Sequence, residues 1–289
     1  MKRHRSPLHQ LFHTFEVKPA DYETITPASC PPNRKDNLWT HVTVNREDSR
    51  DEDLSDEAEA HVYADGSGMD GMAGAAAVLY RGGTEVASLH YQLGLLTWHT
   101  TYEVEIAGVI LALQLVHNDN TANTVLIRLD NQAVVQALVS WRAKPAHSLL
   151  DKVHGLCDAW RREDRQQRKP INISWISGHD GVTGNEQADI KAKRAIKEGS
   201  SPGLDLPLAF QGEELLCSIT VASSAFKDDL FKRWKLIWSK SPRCRHMDKI
   251  DAKMPSHSFL QATDSLTRAQ ASVLMQLQTS HAPLSMFLH

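Results

Sequence analysis

Long hydrophobic runs are absent from this sequence. No stretch of about 18 consecutive apolar residues occurs, which leaves no candidate for a membrane-spanning helix. The basic segment at residues 1–17 also lacks the apolar centre of a secretory signal. We therefore expect an intracellular protein, in the cytoplasm or the nucleus, that is not secreted and has no membrane partner.

Cysteine is scarce, and its spacing does not suit metal or redox chemistry. The four cysteines, Cys30, Cys157, Cys217 and Cys244, lie far apart and form no CxxC pair, which excludes a zinc ribbon and a CxxC redox motif. We expect them to be reduced thiols. The formal net charge of −3 gives the chain no overall basic character. A nucleic-acid partner is still compatible with this charge, because binding requires only a local basic patch.

The composition divides the chain into three parts. Residues 1–58 contain five prolines, among them Pro19, Pro27, Pro31 and Pro32, and an acidic run at 51–53, which predicts a poorly ordered lead-in. Strand-like and helix-like segments alternate over residues 59–199, which predicts a folded domain. The sequence GSSPG at 199–203 is typical of a break, and residues 200–289 are predicted to be a linker and a helical C-terminal extension.

Within the central domain the apolar pattern predicts the element order β-β-β-α-β-α-α-β-α. The second and third strands flank the turn Arg81-Gly82-Gly83 and predict a hairpin. This order is typical of an α/β fold in which helices flank a mixed sheet. The predicted strands cover 61–65, 73–80, 84–93, 124–129 and 171–176, and the predicted helices cover 101–117, 132–139, 148–162 and 184–198.

Two aspartates end strands that are predicted to be neighbours. Asp65 ends the first strand and Asp130 ends the fourth, and adjacent strands of such a sheet place their end residues side by side. We expect the two carboxylates to meet at the sheet edge. Taken singly, each aspartate is more commonly a turn former, and Asp130 is also explained as the cap of the following helix.

The first long helix brings a third acid. Glu105 starts the face that contains Gly108, Val109, Ala112 and Val116, and the two small residues allow this face to approach the sheet closely. A favourable interaction with the helix dipole is the alternative explanation for Glu105. Glu103 lies about 200° away around the helix, so we predict that it is a surface acid.

A fourth acid and a histidine lie near the end of the domain. Asp189 is on the last helix, where an ion pair with Lys193 at i+4 is the alternative explanation. His179 precedes it in a loop with glycines at 178, 181 and 184, which allow the histidine to swing over a site. Clustered carboxylates are stable only when they are protonated or hold cations, and hard oxygen ligands select Mg²⁺ or Mn²⁺. Two such ions activate water and stabilise a leaving oxygen in phosphodiester cleavage.

These residues lie in four motifs that, in this order, resemble type 1 ribonuclease H. The motifs are YADGSG at 63–68, YEVEIAGVILAL at 102–113, IRLDNQAVVQAL at 127–138 and WISGHDGVTGNEQADIKAKRA at 175–195. The sequence is most similar to the ribonuclease H domain of non-LTR retrotransposon polyproteins, in which reverse transcriptase is also encoded. The flanking sequences SPLHQLF and SHAPLSMFLH resemble those that border the domain in such elements. Two departures are Ala64, where threonine is frequent, and Ser177, where proline is common.

The resemblance implies a ribonuclease H-like fold with a five-stranded mixed sheet, three antiparallel strands followed by parallel ones. It also implies that Asp65, Glu105, Asp130 and Asp189 are catalytic residues that bind two Mg²⁺ ions, with Mn²⁺ as a substitute. His179 would assist proton transfer or product release. The implied activity is endonucleolytic hydrolysis of the RNA strand of an RNA–DNA hybrid. Two alternatives stay open, a catalytically inactive nucleic-acid-binding module from a decayed retrotransposon and a related metal-dependent nuclease or integrase.

A basic segment is the candidate contact for the hybrid. Residues 140–170 contain eight Lys and Arg residues against four Asp and Glu residues, with two tryptophans between them. We predict a phosphate-binding platform there, although a solvated helix face with Trp160 in the core is the alternative. The predicted nucleic-acid-binding residues are Trp141, Arg142, Lys144 and Asn131.

Overall fold

The structure is a computed structural model, and it divides the chain into two compact units, Met1–Ala222 and Ser223–His289. It describes residues 12–13, 16–24, 38–119, 121–140, 145–163, 169–178, 180–212, 215–249, 251, 256 and 258–278. Among these residues, no helix has the length and apolar composition needed to cross a bilayer. Cys157, Cys217 and Cys244 are free thiols, and Cys30 lies outside the described residues.

A six-stranded mixed sheet forms the centre of the first unit. Its strands are, in chain order, β1 (Leu38–His41), β2 (Ala60–Met69), β3 (Met72–Arg81), β4 (Thr84–Leu95), β5 (Val125–Leu129) and β6 (Ile171–Trp175). Their spatial order is β1-β6-β5-β2-β3-β4. The first four strands in this order pair in parallel, and β2-β3 and β3-β4 pair antiparallel.

Helices cover both faces of this sheet. On β2, successive side chains alternate between faces, so that Ala64 lies beside Gly108 of the helix Thr101–Asp119 (α2) while Tyr63 lies beside Gly184 of the helix Thr183–Glu198 (α5). Helix α4 packs against α2, and its Trp160 is buried with 2% of its surface exposed. Trp160 is therefore a core residue, as the alternative reading proposed. The helices of the first unit are α1 (Arg46–Ser55), α2 (Thr101–Asp119), α3 (Gln132–Ala137), α4 (His147–Glu163) and α5 (Thr183–Glu198).

The lead-in at residues 1–58 differs from the prediction over its second half. Strand β1 pairs in parallel with β6, and α1 follows it directly. The sheet therefore has six strands where five were expected. The apolar pattern of β1 was too weak to predict because the strand has only four residues, and α1 is so rich in acidic residues that its sequence is typical of a solvated segment.

The C-terminal part of the chain is helical, as predicted. Helix α6 (Ile219–Ser239) begins in the first unit, and the second unit contains α7 (Cys244–Met247), α8 (Ser258–Thr263) and α9 (Arg268–Gln278). The expected boundary at 199/200 stays a prediction. The division of the chain falls later, after Ala222.

Candidate active site

Three carboxylates converge where β2 and β5 stop pairing. One ligand atom from each of Asp65, Glu105 and Asp130 lies within 4.8 Å of the others. The register explains the meeting of the two aspartates, because Ala64 pairs with Leu129 and each aspartate is the next residue along the chain. Asp65 does not end its strand as expected, since β2 continues to Met69. The two side chains nevertheless lie side by side.

Two glycines allow α2 to bring Glu105 to this pair. A Cβ at Gly66 would lie 2.9 Å from the backbone nitrogen of Glu105, and one at Gly108 would lie 3.2 Å from the carbonyl oxygen of Asp65. Side chains at either position would force the helix away from the strand. Gly66 on β2 and Gly108 on α2 therefore set the distance between Glu105 and Asp65.

A third glycine makes room for Asp130. A Cβ at Gly178 would lie 2.5 Å from Oδ2 of Asp130. The indole Nε1 of Trp175 donates a hydrogen bond of 2.9 Å to the backbone oxygen of Asp130. The last residue of β6 thus holds the backbone of Asp130, and the loop after β6 leaves space for its side chain. Gly178 was expected to allow movement of the loop, whereas the structure shows that its lack of a side chain leaves space for the Asp130 carboxylate.

The electrostatics of the cluster favour a cation. Burial, followed by the charges of Asp130 and Asp189, raises the pKa of Asp65 to about 7. Burial and the neighbouring Asp65 and Asp130 raise the pKa of Glu105 well above its ordinary value, and hydrogen bonds from Gly66 and Asn131 offset this only in part. The Oε2 atom of Glu105 is buried and has no hydrogen-bond partner among the described residues. A buried, unpaired carboxylate oxygen beside two like charges fits the oxygen-ligand set of a divalent cation.

Asp189 lies near the cluster but has a partner of its own. Its Oδ2 atom accepts from Nζ of Lys193 at 2.6 Å, which is the i,i+4 ion pair that the sequence offered as the alternative. The charge of Asp189 still contributes to the raised pKa of Asp65. Within the described residues, the group of mutually close ligand atoms contains Asp65, Glu105 and Asp130 without Asp189. A role for Asp189 as a metal ligand stays a prediction.

Of the remaining predicted site residues, the structure describes Asn131 alone. His179, Trp141, Arg142 and Lys144 lie outside the described residues. Asn131 caps α3, because its Oδ1 accepts from the backbone nitrogens of Ala133 at 3.1 Å and Val134 at 3.3 Å. The helix cap is therefore Asn131 and not Asp130, whose carboxylate belongs to the cluster.

Glu103 was predicted to be a surface acid, and this prediction was wrong. Its side chain is 3% exposed. Oε2 of Glu103 accepts from the backbone nitrogen of Thr100 at 2.7 Å, and the Thr100 hydroxyl accepts from the Glu103 backbone nitrogen at 3.2 Å. This reciprocal pair is a capping box, whose Thr-x-x-Glu spacing at 100–103 is visible in the sequence. Glu103 thus helps to cap the N-terminus of α2, the helix that carries Glu105.

Sequence reasoning also missed the role of Lys193 beyond its pairing with Asp189. Its charge lowers the pKa of Asp65, against the direction set by burial and the neighbouring acids. The ammonium group thus partly balances the negative charge at this edge of the sheet. The i,i+4 spacing from Asp189 was the available signal, but proximity to Asp65 depends on how α5 packs on β2.

The fold and the site together define an α/β domain with a carboxylate cluster suited to divalent cations. A family model described as RNase H matches residues 57–197. Ribonuclease H of Cupriavidus metallidurans is 32% identical over 146 residues, covering 48% of this chain and 95% of that protein. Ribonuclease H of Pectobacterium atrosepticum is 31% identical over 156 residues, covering 51% of this chain and 94% of that protein. RNase H1 of the archaeon Halobacterium salinarum NRC-1, a solved structure, is 21% identical with a TM-score of 0.38, covering 48% of this chain and 97% of that one.

The two ribonucleases H that are more than 30% identical and almost completely covered establish the family. The chain belongs to the ribonuclease H family and is an enzyme of the ribonuclease H class. The family is metal-dependent, in agreement with the acidic cluster of Asp65, Glu105 and Asp130. The match begins at residue 57, so that β1 and α1 lie outside it.

Proposed function

We propose that this chain hydrolyses the RNA strand of RNA–DNA hybrids at the cluster of Asp65, Glu105 and Asp130. The convergence of these three carboxylates, within a family of hybrid-cleaving ribonucleases, is the observation that carries the proposal. Asp189 is the fourth acid of the site, next to Asp65. The cofactor is a pair of Mg²⁺ ions, for which Mn²⁺ can substitute.

The chain's own carboxylates give the site its negative charge and its oxygen ligands. Glu105 offers its unpaired Oε2, and Asp65 and Asp130 offer oxygens from the two adjacent strands. When bound, a divalent cation pair neutralises these charges and supplies a reactive water and an electrophile for the leaving oxygen. Lys193 orients Asp189 through their 2.6 Å ion pair. His179 serves in proton transfer or product release.

The hybrid is held by the basic segment between β5 and β6. Trp141, Arg142 and Lys144 contact its backbone, together with Asn131 beside the cluster. Such contacts recognise phosphates, sugar hydroxyls and groove shape and do not read bases. The affinity should consequently fall as the salt concentration rises, because each neutralised phosphate releases counterions.

An assay of strand-labelled substrates tests the function. The full chain is incubated with Mg²⁺ and an RNA–DNA hybrid labelled on either strand, and with matched duplex DNA and duplex RNA. We expect cuts in the RNA strand of the hybrid alone, lost when a chelator is added and restored by Mg²⁺ or Mn²⁺. Binding to the hybrid without cleavage would instead identify an inactive nucleic-acid-binding module. Cutting of duplex DNA would identify a different metal-dependent nuclease.

The raised pKa of Asp65 predicts how pH affects the metal-free protein. Burial raises the pKa of the Asp65 carboxyl to about 7 in the folded chain, against 3.8 for an unperturbed aspartate. Between these values the folded state holds more protons than the unfolded state, so this group's contribution to the free energy of unfolding falls as the pH rises. Mg²⁺ competes with these protons, so its stabilising effect should increase over the same range.

Thermal melts check this dependence. We expect the rise in Tm on adding saturating Mg²⁺ to be larger at about pH 8 than at about pH 5.5, because the ligands are then deprotonated. The same increment at both pH values would contradict the assignment of Asp65 as a ligand. Asp70→Asn, an exposed position on the β2–β3 turn, provides the control for changes in surface charge.

A finer proposal concerns the origin of the chain. We infer from the YEVEI motif and the flanking sequences that it derives from a non-LTR retrotransposon polyprotein. The relatives reported above carry the name ribonuclease H and do not address this origin. Sequencing of the genomic locus and its transcripts tests it. A reverse transcriptase reading frame upstream and in frame would support the inference, and an isolated gene without element remnants would contradict it.

A further inference from the structure

Helix α1 makes a buried contact with the segment that follows β6. The side chain of Ser49 is 0% exposed, and its Oγ accepts a hydrogen bond of 3.2 Å from the backbone nitrogen of Ser177. The same hydroxyl donates to the carbonyl oxygen of Arg46 at 2.8 Å. Ser49 thus joins a helix outside the family match to a loop inside it.

This contact lies one residue from the cluster. Ser177 precedes Gly178, where a Cβ would lie 2.5 Å from the Asp130 carboxylate. Ser177 is 2% exposed, so its N–H needs an acceptor within the protein. A proline at 177, the residue that the resemblance to type 1 ribonuclease H leads us to expect there, would have no N–H to satisfy. The serine at 177 and the hydroxyl of Ser49 are therefore complementary features of this chain.

A second contact of α1 reaches the strands that carry the two aspartates. Oδ1 of Asp53 accepts from the Tyr63 hydroxyl at 2.9 Å and lies 3.2 Å from Nε of Arg128. Tyr63 and Arg128 are cross-strand neighbours on β2 and β5. They stand two residues before Asp65 and Asp130, respectively. Arg128 is 2% exposed, and a cation buried to that degree depends on its carboxylate partner.

We propose that α1 is a positioning element of the active site. It holds the Ser177–Gly178 backbone against Asp130 through Ser49 and fixes the spacing of β2 and β5 through Asp53. Neither residue touches substrate or cation, and both act through the residues that do. The inference rests on the proposed function, because it assumes that the cluster binds divalent cations.

A matched pair of serine variants in the full chain tests this. Ser49→Ala removes the acceptor of the Ser177 N–H. Ser55→Ala makes the same change on the same helix at an exposed position, where the hydroxyl donates only weakly, at 3.4 Å, to the carbonyl oxygen of Glu52. We expect Ser49→Ala to speed hydrogen exchange at Ser177, to weaken Mg²⁺ binding measured by calorimetry by about tenfold, and to lower kcat by a similar factor. KM for the hybrid should stay the same, and Ser55→Ala should match the wild type in all measurements.

The outcomes separate this proposal from the proposed function. Faster exchange at Ser177 with unchanged Mg²⁺ affinity, or a lowered Tm alone, would show that Ser49 is only structural and would overturn the proposal. A wild type that binds Mg²⁺ without cleaving the hybrid would refute the function, while the calorimetry of Ser49→Ala would still decide the positioning role. A wild type that binds no Mg²⁺ would overturn both.

Discussion

Asp65→Asn should inactivate the enzyme while stabilising the protein in the absence of metal. Asparagine has nearly the same shape, and its Oδ1 can still accept the 2.8 Å hydrogen bond from the Gly66 backbone nitrogen. It cannot supply the negative charge that a cation requires. We expect kcat to fall on the order of 10²–10³-fold, the range seen when one electrostatic stabiliser of a transition state is removed.

The stability effect has the opposite sign because the cluster is repulsive. Asp65 is 6% exposed and lies beside Glu105 and Asp130, and the charges of Asp130 and Asp189 both raise its pKa. Removing one charge relieves this repulsion, and we expect a gain of about 1 kcal/mol, equivalent to a Tm increase of about 2–4 °C in chelator. In saturating Mg²⁺ the wild type should have the higher Tm, because it gains more stability from binding the cation than Asp65→Asn does.

Kinetics on the labelled hybrid and melts with and without Mg²⁺ measure both effects. Asp70→Asn is the matched control, since it makes the same substitution at an exposed turn of positive φ that asparagine tolerates. Full activity in Asp65→Asn would remove this residue from the active site. A lower Tm in chelator would show that the metal-free cluster is not repulsive at this position.

Gly178→Ala should disable the site because the added methyl group displaces the side chain of Asp130, although Asp130 itself is not substituted. The new methyl group would lie 2.5 Å from Oδ2 and 3.3 Å from Cβ of Asp130, so either the carboxylate or the loop has to move. A shift of about 1 Å at a catalytic group lowers activity on the order of 10²-fold. We expect a loss of this size in kcat, together with weaker Mg²⁺ binding.

Gly203→Ala is the control for this substitution, because a Cβ there would meet no atom within 4 Å. Its kcat and Mg²⁺ affinity should equal those of the wild type. If Gly178→Ala retained wild-type kcat, the space beside Asp130 would have no functional importance. Circular dichroism of both variants distinguishes local displacement of Asp130 from loss of the fold.

The central domain could be predicted from the sequence because its elements have strong local patterns. The β2–β3–β4 meander follows from apolar segments separated by glycine turns, and α2 is a long apolar helix with a capping box. Strand β1 has four residues, and α1 contains mostly polar ones, so neither shows an apolar pattern. Their stability comes from contacts with β6, Tyr63 and Arg128, which are distant in the sequence.

Glu103 and Glu105 show the limit of reasoning from helical faces. The angle around the helix correctly predicts that the two side chains point in different directions. It does not show which of these directions faces solvent. Helix α2 is buried on most sides, so the face opposite the sheet edge is also covered, and Glu103 is 3% exposed there. Burial depends on what packs around the helix, which the helix's own sequence does not specify.

The sequence by itself determined the family, the central strands and helices, and the acids that stand at the ends of neighbouring elements. These properties depend on local patterns and on the order of motifs along the chain. Only the tertiary structure decided that Asp65, Glu105 and Asp130 share one site, that Asp189 pairs with Lys193, and that α1 supports the loop beside Asp130. The reason is physical, since strand register and helix packing set distances of a few ångströms between residues far apart in the chain.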